Sequence, residues 1–413
     1  MIQFEKLKLS NGMRLLIHED HSTPLAAVNI MYNVGARDED ENRTGFAHLF
    51  EHLMFGGSKN VPVFDEPLQQ AGGENNAFTS NDITNYYETL PAQNLETALW
   101  LESDRLMALN INQHTLDVQR KVVCEEFKEH YINQPYGDAW HLLRELAYKK
   151  HPYKWPTIGK NLNHVEEAQL SDVQAFFKKH YVPANAIMVI AGNIKTDEAA
   201  RLAEKWFGGI AGGEMPLRKI GPEPKQTEAR FMETKADVPA DMIYKAYHMD
   251  HRLSAGYYQA DVLSDILSGG KSGRLFQQLV MEQKLFSEIN AFHTGSIDPG
   301  LFVIEGKLLP GVKMETAETA ITVELKKVCN EKTNNRELDK VKNQIESSHV
   351  FGELELLNRA LNIAFGDLLG NANLINEELE TYRNINSTDI QNCAQEILTD
   401  ENCSTLYYLS NKN

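Results

Sequence analysis

A chain of 413 residues with 42% apolar and 24% charged residues is too long for one ordinary domain and carries the material for two substantial cores. Its net charge of −17 argues against a nucleic-acid partner, whose phosphates it would repel, and fits an acidic solubilising surface or the steering of basic substrates. No apolar run approaches the roughly 18 residues of a membrane span, and four scattered cysteines without a Cys-x-x-Cys pair exclude a disulfide scaffold.

The N-terminal MIQFEKLKLSNGMRLLIHED reads as strand, Asn-Gly turn, strand. It has no basic start followed by a long apolar core, so it is not a signal peptide and a cytoplasmic protein is expected. Pro24–Ala36 is an apolar core strand, and Asn85–Pro91 is another. Asn94–Ala108 and the acidic stretch His114–Tyr131 have helical spacing. Ser171–Tyr181 is a capped helix, Asn185–Ile194 a buried strand, and a helix follows from Thr196. Between Gly208 and Arg230 lie five glycines and three prolines with little periodicity, which marks a linker.

The pattern then restarts. Ala240–Met249 is a strand, and Gly256–Gly270 is a helix ended by glycines. A helix through Gly273–Gln283, strands at Ser287–Ser296 and Gly300–Leu309, and a helix at Met314–Glu331 come next. One long helix is expected over Arg336–Gly366, then a last one near Ser387, and a closing strand at Ser404–Ser410. The second half weakly repeats the first in order and length. These readings divide the chain into a domain over 1–210, a linker over 211–230 and a second, similar domain over 231–413.

One stretch carries chemistry. In GFAHLFEHLMFGG, His48 and His52 are four residues apart, so a helix puts both imidazoles on one face, about a turn from each other. That pair suits one tetrahedral Zn2+. Glu51 leans over the same patch, and a carboxylate that is not itself a ligand, beside metal-bound water, is what a general base requires. A cation in a cleft would also offset the desolvation of these groups on an otherwise buried helix. Two histidines are one ligand short of a catalytic site. The acidic helix offers Glu125, Glu126 and Glu129, and spacing alone does not choose among them.

The blocks LSNGMRLLIHED, VGARDEDENRTGFAHLFEHLMFGGS, GGENNAFTSNDITNYYETLP, LWLESDRL, QRKVVCEEF and VPANAIMVIAGN, in this order, resemble the M16 metallopeptidases. That family holds pitrilysin, insulin-degrading enzyme, the mitochondrial processing peptidase and small bacterial relatives. The resemblance implies that His48 and His52 bind one Zn2+ per chain, that Glu126 is the third ligand and that Glu51 is the base. It implies a supporting glutamate seven residues before the ligand, where this chain has Gln119, so a weakened or rearranged support of the site is expected. Asn76, Ala77 and Phe78 match the edge strand that pairs with an extended peptide substrate, a β-augmentation.

The resemblance implies an α+β fold of two similar domains, each a mostly antiparallel sheet with helices packed on one face, related by duplication. Substrate size would be limited by a chamber between the halves. The family's Arg and Tyr that reach a partner's zinc cleft are missing, with Val280 and Ser287 at their positions. A dimer is expected, either a heterodimer with a homologous subunit that supplies the pair or a homodimer with altered substrate contacts. The intact metal motif beside the missing pair points to the first. The leading function is a zinc endopeptidase for extended peptides. The alternative is a non-catalytic assembly or binding subunit of the same family, a class that tends to lose the metal residues.

Overall fold

The computed structural model describes residues 1–411, in two compact units. The first unit is built on a six-stranded sheet of β1 (Glu5–Lys8), β2 (Arg14–Glu19), β3 (Leu25–Tyr32), β4 (Glu74–Thr79), β5 (Thr84–Pro91) and β6 (Ala186–Gly192), in the order β1-β2-β6-β3-β5-β4. Only β2 and β6 run parallel. The second unit carries β7 (Arg230–Ala236), β8 (Met242–His248), β9 (Phe286–His293), β10 (Leu301–Leu308) and β11 (Cys403–Ser410), in the order β7-β11-β8-β10-β9. Its one parallel pair is β7 with β11.

Without β1, the two sheets are the same drawing. In each, the first strand of the unit pairs parallel with the last, and an antiparallel run ends on the hairpin strand that leaves one edge open. The repeat that residue letters showed weakly is plain in the topology, and the fold is α+β with two similar domains.

The central strands β3 and β6 read as near-continuous apolar runs because both of their faces are covered. Ala27 and Met31 on one face of β3 pack with Leu356, Ala360, Ile363 and Ala364 of the helix Leu356–Leu368. On the other face Tyr32 meets Tyr86 and Tyr181, and Tyr181 stacks on Phe50. That second face carries the histidine helix.

The helix Leu356–Leu368 comes from the C-terminal half of the sequence yet belongs to the first unit, which comprises 1–128, 155–220 and 349–378. The second unit comprises 129–154, 221–348 and the chain from 379. The compact units therefore exchange segments, whereas the boundaries 1–210, 211–230 and 231–413 run continuously along the chain. The expected long helix over 336–366 is also two helices, Asn335–Gly352 and Leu356–Leu368. The helix stops at Gly352, a residue of low helical propensity followed by a turn, and the apolar spacing carries on past the break. The segment 211–230 has no regular structure before β7, but it is tied down. The Glu223 carboxylate accepts the main-chain N–H groups of Lys149, Lys150 and His151 at 2.7–2.8 Å. Among the described residues no helix is long and apolar enough to cross a membrane.

Beside the site, Arg105 is fully buried with its guanidinium over the rings of Phe64 and Tyr86, both at 4.5 Å. It donates to Glu102 and lies 3.6 Å from Glu88, and both carboxyls are fully buried. Burial and the neighbouring Glu102 push Glu88 well above the usual carboxylate range. Arg105→Met leaves Glu102 buried and uncompensated. We expect it to lower stability by about 3–5 kcal/mol, the cost of removing one partner of a buried pair, measured by denaturant unfolding of the first unit.

Candidate metal centre

The histidine helix, Phe46–Met54, starts where it does for two reasons. Gly45 precedes it at φ 88°, a left-handed conformation that glycine adopts without strain, and a Cβ there would lie 2.6 Å from the Ile158 carbonyl oxygen. The Glu39 carboxylate accepts the N–H groups of Gly45 at 2.9 Å and Ala47 at 2.8 Å, and so fills the unpaired first turn. Burial pushes this carboxyl up to about 8 despite those two donors. Phe46, Ala47, Leu49, Phe50, Leu53 and Met54 are buried, which leaves His48, Glu51 and His52 half-buried on the opposite side.

The acidic helix, Gln113–Phe127, is capped by the Asn112 side chain, which accepts from His114 N and Thr115 N at 2.9 and 3.1 Å. Leu116, Val123 and Phe127 fix its inner face. Glu126 is thereby brought between the two imidazoles, with one carboxylate oxygen 3.6 Å from His48 Nε2 and the other 3.3 Å from His52 Nε2. The rings themselves are 4.8 Å apart and nearly perpendicular. Glu125 is exposed and pairs with Lys128 at 2.8 Å, and Glu129 is exposed in the π-helical turn that follows. Of the three glutamates the sequence left open, Glu126 is the one within reach of both rings.

Ligands about 2.0–2.1 Å from a tetrahedral Zn2+ stand roughly 3.3 Å from one another. The observed gaps of 3.3 and 3.6 Å match that spacing, and all three donor atoms lie within 4.8 Å of one another. Burial pulls the His48 imidazole down to about 4, so the ring is neutral and able to ligate near pH 7. Its buried Nδ1 has no hydrogen-bond partner. Gln119 sits half-buried two turns before Glu126 on the same helix.

Glu51 stands apart from this trio. Burial raises its carboxyl above the ordinary value, and the Thr79 hydroxyl, which donates to it at 2.6 Å, pulls it back. Thr79 ends β4, the open edge of the first sheet. Of the edge residues singled out in the sequence, Ala77 has its N–H held by the Asn76 side-chain oxygen at 2.8 Å. The Phe78 side chain packs against the core that the helix Leu356–Leu368 covers. Thr79 and Glu39 escape a reading of the sequence. Both lie inside quoted blocks, but a hydroxyl or carboxylate shows its partner only once strand register and helix start are fixed. In the second unit, Val280 is half-buried against the core, and exposed Ser287 donates to the Lys307 carbonyl at 3.2 Å.

Known proteins share this architecture. Residues 14–161 match the family described as insulinase, peptidase family M16, and residues 167–345 the one described as peptidase M16 inactive domain. A Helicobacter pylori protein named zinc protease PqqE is 30% identical over 82% of this chain and 77% of its own length. The crystal structure of a protease from Helicobacter pylori is similar with a TM-score of 0.92 at 26% identity, covering 99% of this chain and 100% of that one. A structure titled peptidase M16 inactive domain, from Pseudomonas fluorescens, shares the fold with a TM-score of 0.88 at 16% identity over 98% of each chain.

Proposed function

Because the chain belongs to the M16 peptidase family, we propose that it is a zinc endopeptidase acting on extended or unstructured peptides, with one Zn2+ per chain held by His48, His52 and Glu126. The observation that carries the reading is a three-donor set of zinc spacing with a second, separate carboxylate beside it at an open strand edge. When bound, Zn2+ supplies a Lewis acid that acidifies water and polarises a carbonyl. The residues of the chain do the rest. An extended peptide adds to the edge of β4, where main-chain groups of the strand around Asn76, Ala77 and Phe78 take over its backbone hydrogen bonds. A peptide carbonyl accepting from the Ala77 N–H displaces the Asn76 side-chain oxygen now bonded there. Glu51 takes a proton from the attacking water and returns it to the nitrogen of the leaving amine.

The alternative is a non-catalytic subunit. The word "inactive" in the family description attaches to residues 167–345, which lack all four site residues, whereas residues 14–161 contain every one of them. That division favours the enzyme. With Val280 and Ser287 unable to supply an Arg and Tyr pair, we further propose that the active species is a dimer with a homologous subunit. The purified chain, loaded with zinc, is expected to bind one equivalent of metal, and its cleavage of an unstructured peptide beside the homologous subunit is expected to be lost to a chelator. Full-rate cleavage by the chain alone, with a native mass showing no second kind of polypeptide, removes the heterodimer. Metal uptake with no cleavage, even beside the partner, removes the enzyme.

A further inference from the structure

Resting on the peptidase reading, we infer that Thr79 is a positioning residue for the base, and that Gly35–Glu39 is the clamp that holds the base and the edge strand in register. The hydroxyl of Thr79 donates to Glu51 Oε2 at 2.6 Å and joins the last residue of the edge strand to the helix that bears the base. A carboxylate has two oxygens and free rotation about its last bond. The hydroxyl on Oε2 limits that rotation, and the Thr79 main chain bonds the same carboxylate.

Both ends of this contact are set by the same five residues. On the strand side, Ala36 N donates to the Ser80 carbonyl at 3.1 Å and Arg37 N to the Asn81 carbonyl at 2.9 Å. Arg37 also pairs with buried Asp82 at 2.9 Å. The backbone passes so close that a Cβ on Gly35 would lie 2.5 Å from the Asn81 carbonyl oxygen. These contacts pin the turn directly after Thr79. On the helix side, Glu39 holds Gly45 N and Ala47 N and so sets the start of the helix that carries Glu51. The Trp155 indole N–H donates to the Ala36 carbonyl at 2.9 Å and anchors the middle of the clamp. Thr79 is not one of the three metal-spaced donors. It therefore orients the base without building the metal site, and it makes the strand that receives the peptide the same strand that aims the proton acceptor.

The test compares parent, Thr79→Val and Thr79→Ser, each zinc-loaded, on one unstructured peptide, together with a chelator competition for zinc affinity on the metal-free proteins. Thr79→Val removes the hydroxyl donor and keeps the shape and the main-chain contact. Its kcat is expected to fall by roughly ten- to a hundredfold, the scale of a misaligned proton acceptor. KM and zinc affinity should stay within about twofold, and Thr79→Ser should recover most of the rate, since one hydrogen bond is lost and regained. A kcat for Thr79→Val within twofold of the parent overturns the inference. So does a loss that appears as weaker zinc binding or raised KM, or one that serine fails to rescue. A parent that takes up zinc and cleaves nothing, with or without its partner, overturns the peptidase reading itself and this inference with it.

Discussion

Glu51→Gln is expected to retain one Zn2+ per chain while peptide cleavage drops by roughly 10²–10⁴-fold, the range that a positioned general base contributes. Glutamine keeps the size of the side chain and still accepts the Thr79 hydroxyl bond that Glu51 Oε2 takes now. It cannot accept a proton from water. The metal-spaced donors are His48, His52 and Glu126, so the substitution removes none of them. Loss of turnover with unchanged metal content is thus the specific signature of a base. The pH profile sharpens it. Burial holds the Glu51 carboxyl above its ordinary range, and only the ionised form can act, so activity falls as pH drops through that value. The residual activity of the Gln variant should lack this acid limb. If Glu51→Gln cleaves at more than about a tenth of the parent rate, proton transfer lies elsewhere.

How far the sequence reaches is clear from which groups it could and could not place. His48, Glu51 and His52 sit within one helical turn, where spacing alone decides geometry. Glu126 is a different case. Three glutamates within five residues are equivalent to any periodicity argument, and what separates them is the rotation of a second helix, set by the burial of Leu116, Val123 and Phe127. β3 and β6 were legible as strands because they are unbroken apolar runs, which fits strands covered on both faces, whereas β7 was not read. What covers the far face was not legible. The helix Leu356–Leu368 has an amphipathic pattern that fits any apolar surface, and nothing local says that it joins strands more than 160 residues earlier in the chain. The clamp at Gly35–Glu39 was hidden for a related reason. Two of its contacts are main-chain hydrogen bonds, which leave no mark on residue type, and the side chains of Arg37, Glu39 and Trp155 find their partners only once the chain is folded.

The same contrast bears on the two units as a catalytic system. The sheets repeat strand for strand, yet the first carries His48, Glu51, His52 and Glu126, and the second has no comparable group of metal-spaced donors among the described residues. The two units thus share a scaffold, and the chemistry lies in one of them. The scaffold depends on pleat and burial, which many sequences satisfy. A metal site depends on a few side chains and is lost by single substitutions.

Glu126→Ala carries the other large effect. It removes the one donor contributed from outside the histidine helix and leaves two imidazoles 4.8 Å apart, too few to hold a catalytic zinc tightly. Losing a ligand should cost more than the 10- to 100-fold typical of an outer-shell partner, so zinc affinity is expected to fall by at least about a hundredfold and cleavage to vanish with it. The fold should survive. The Glu126 side chain keeps 32% of its exposure and burial holds its neighbour His48 neutral, so truncation leaves no charged imidazole buried at His48. The measurement is the thermal transition with and without zinc. Metal that binds only the native state stabilises it by RT ln(1 + [L]/Kd), and a hundredfold loss of affinity removes about 2.7 kcal/mol of that shift when the metal is in large excess. The metal-free transition should stay where it was. Glu125→Ala and Glu129→Ala serve as controls on the same helix, since their exposed side chains lie outside the donor set. If Glu126→Ala keeps the full zinc-dependent shift and one of the controls loses it, the site has been assigned to the wrong carboxylate.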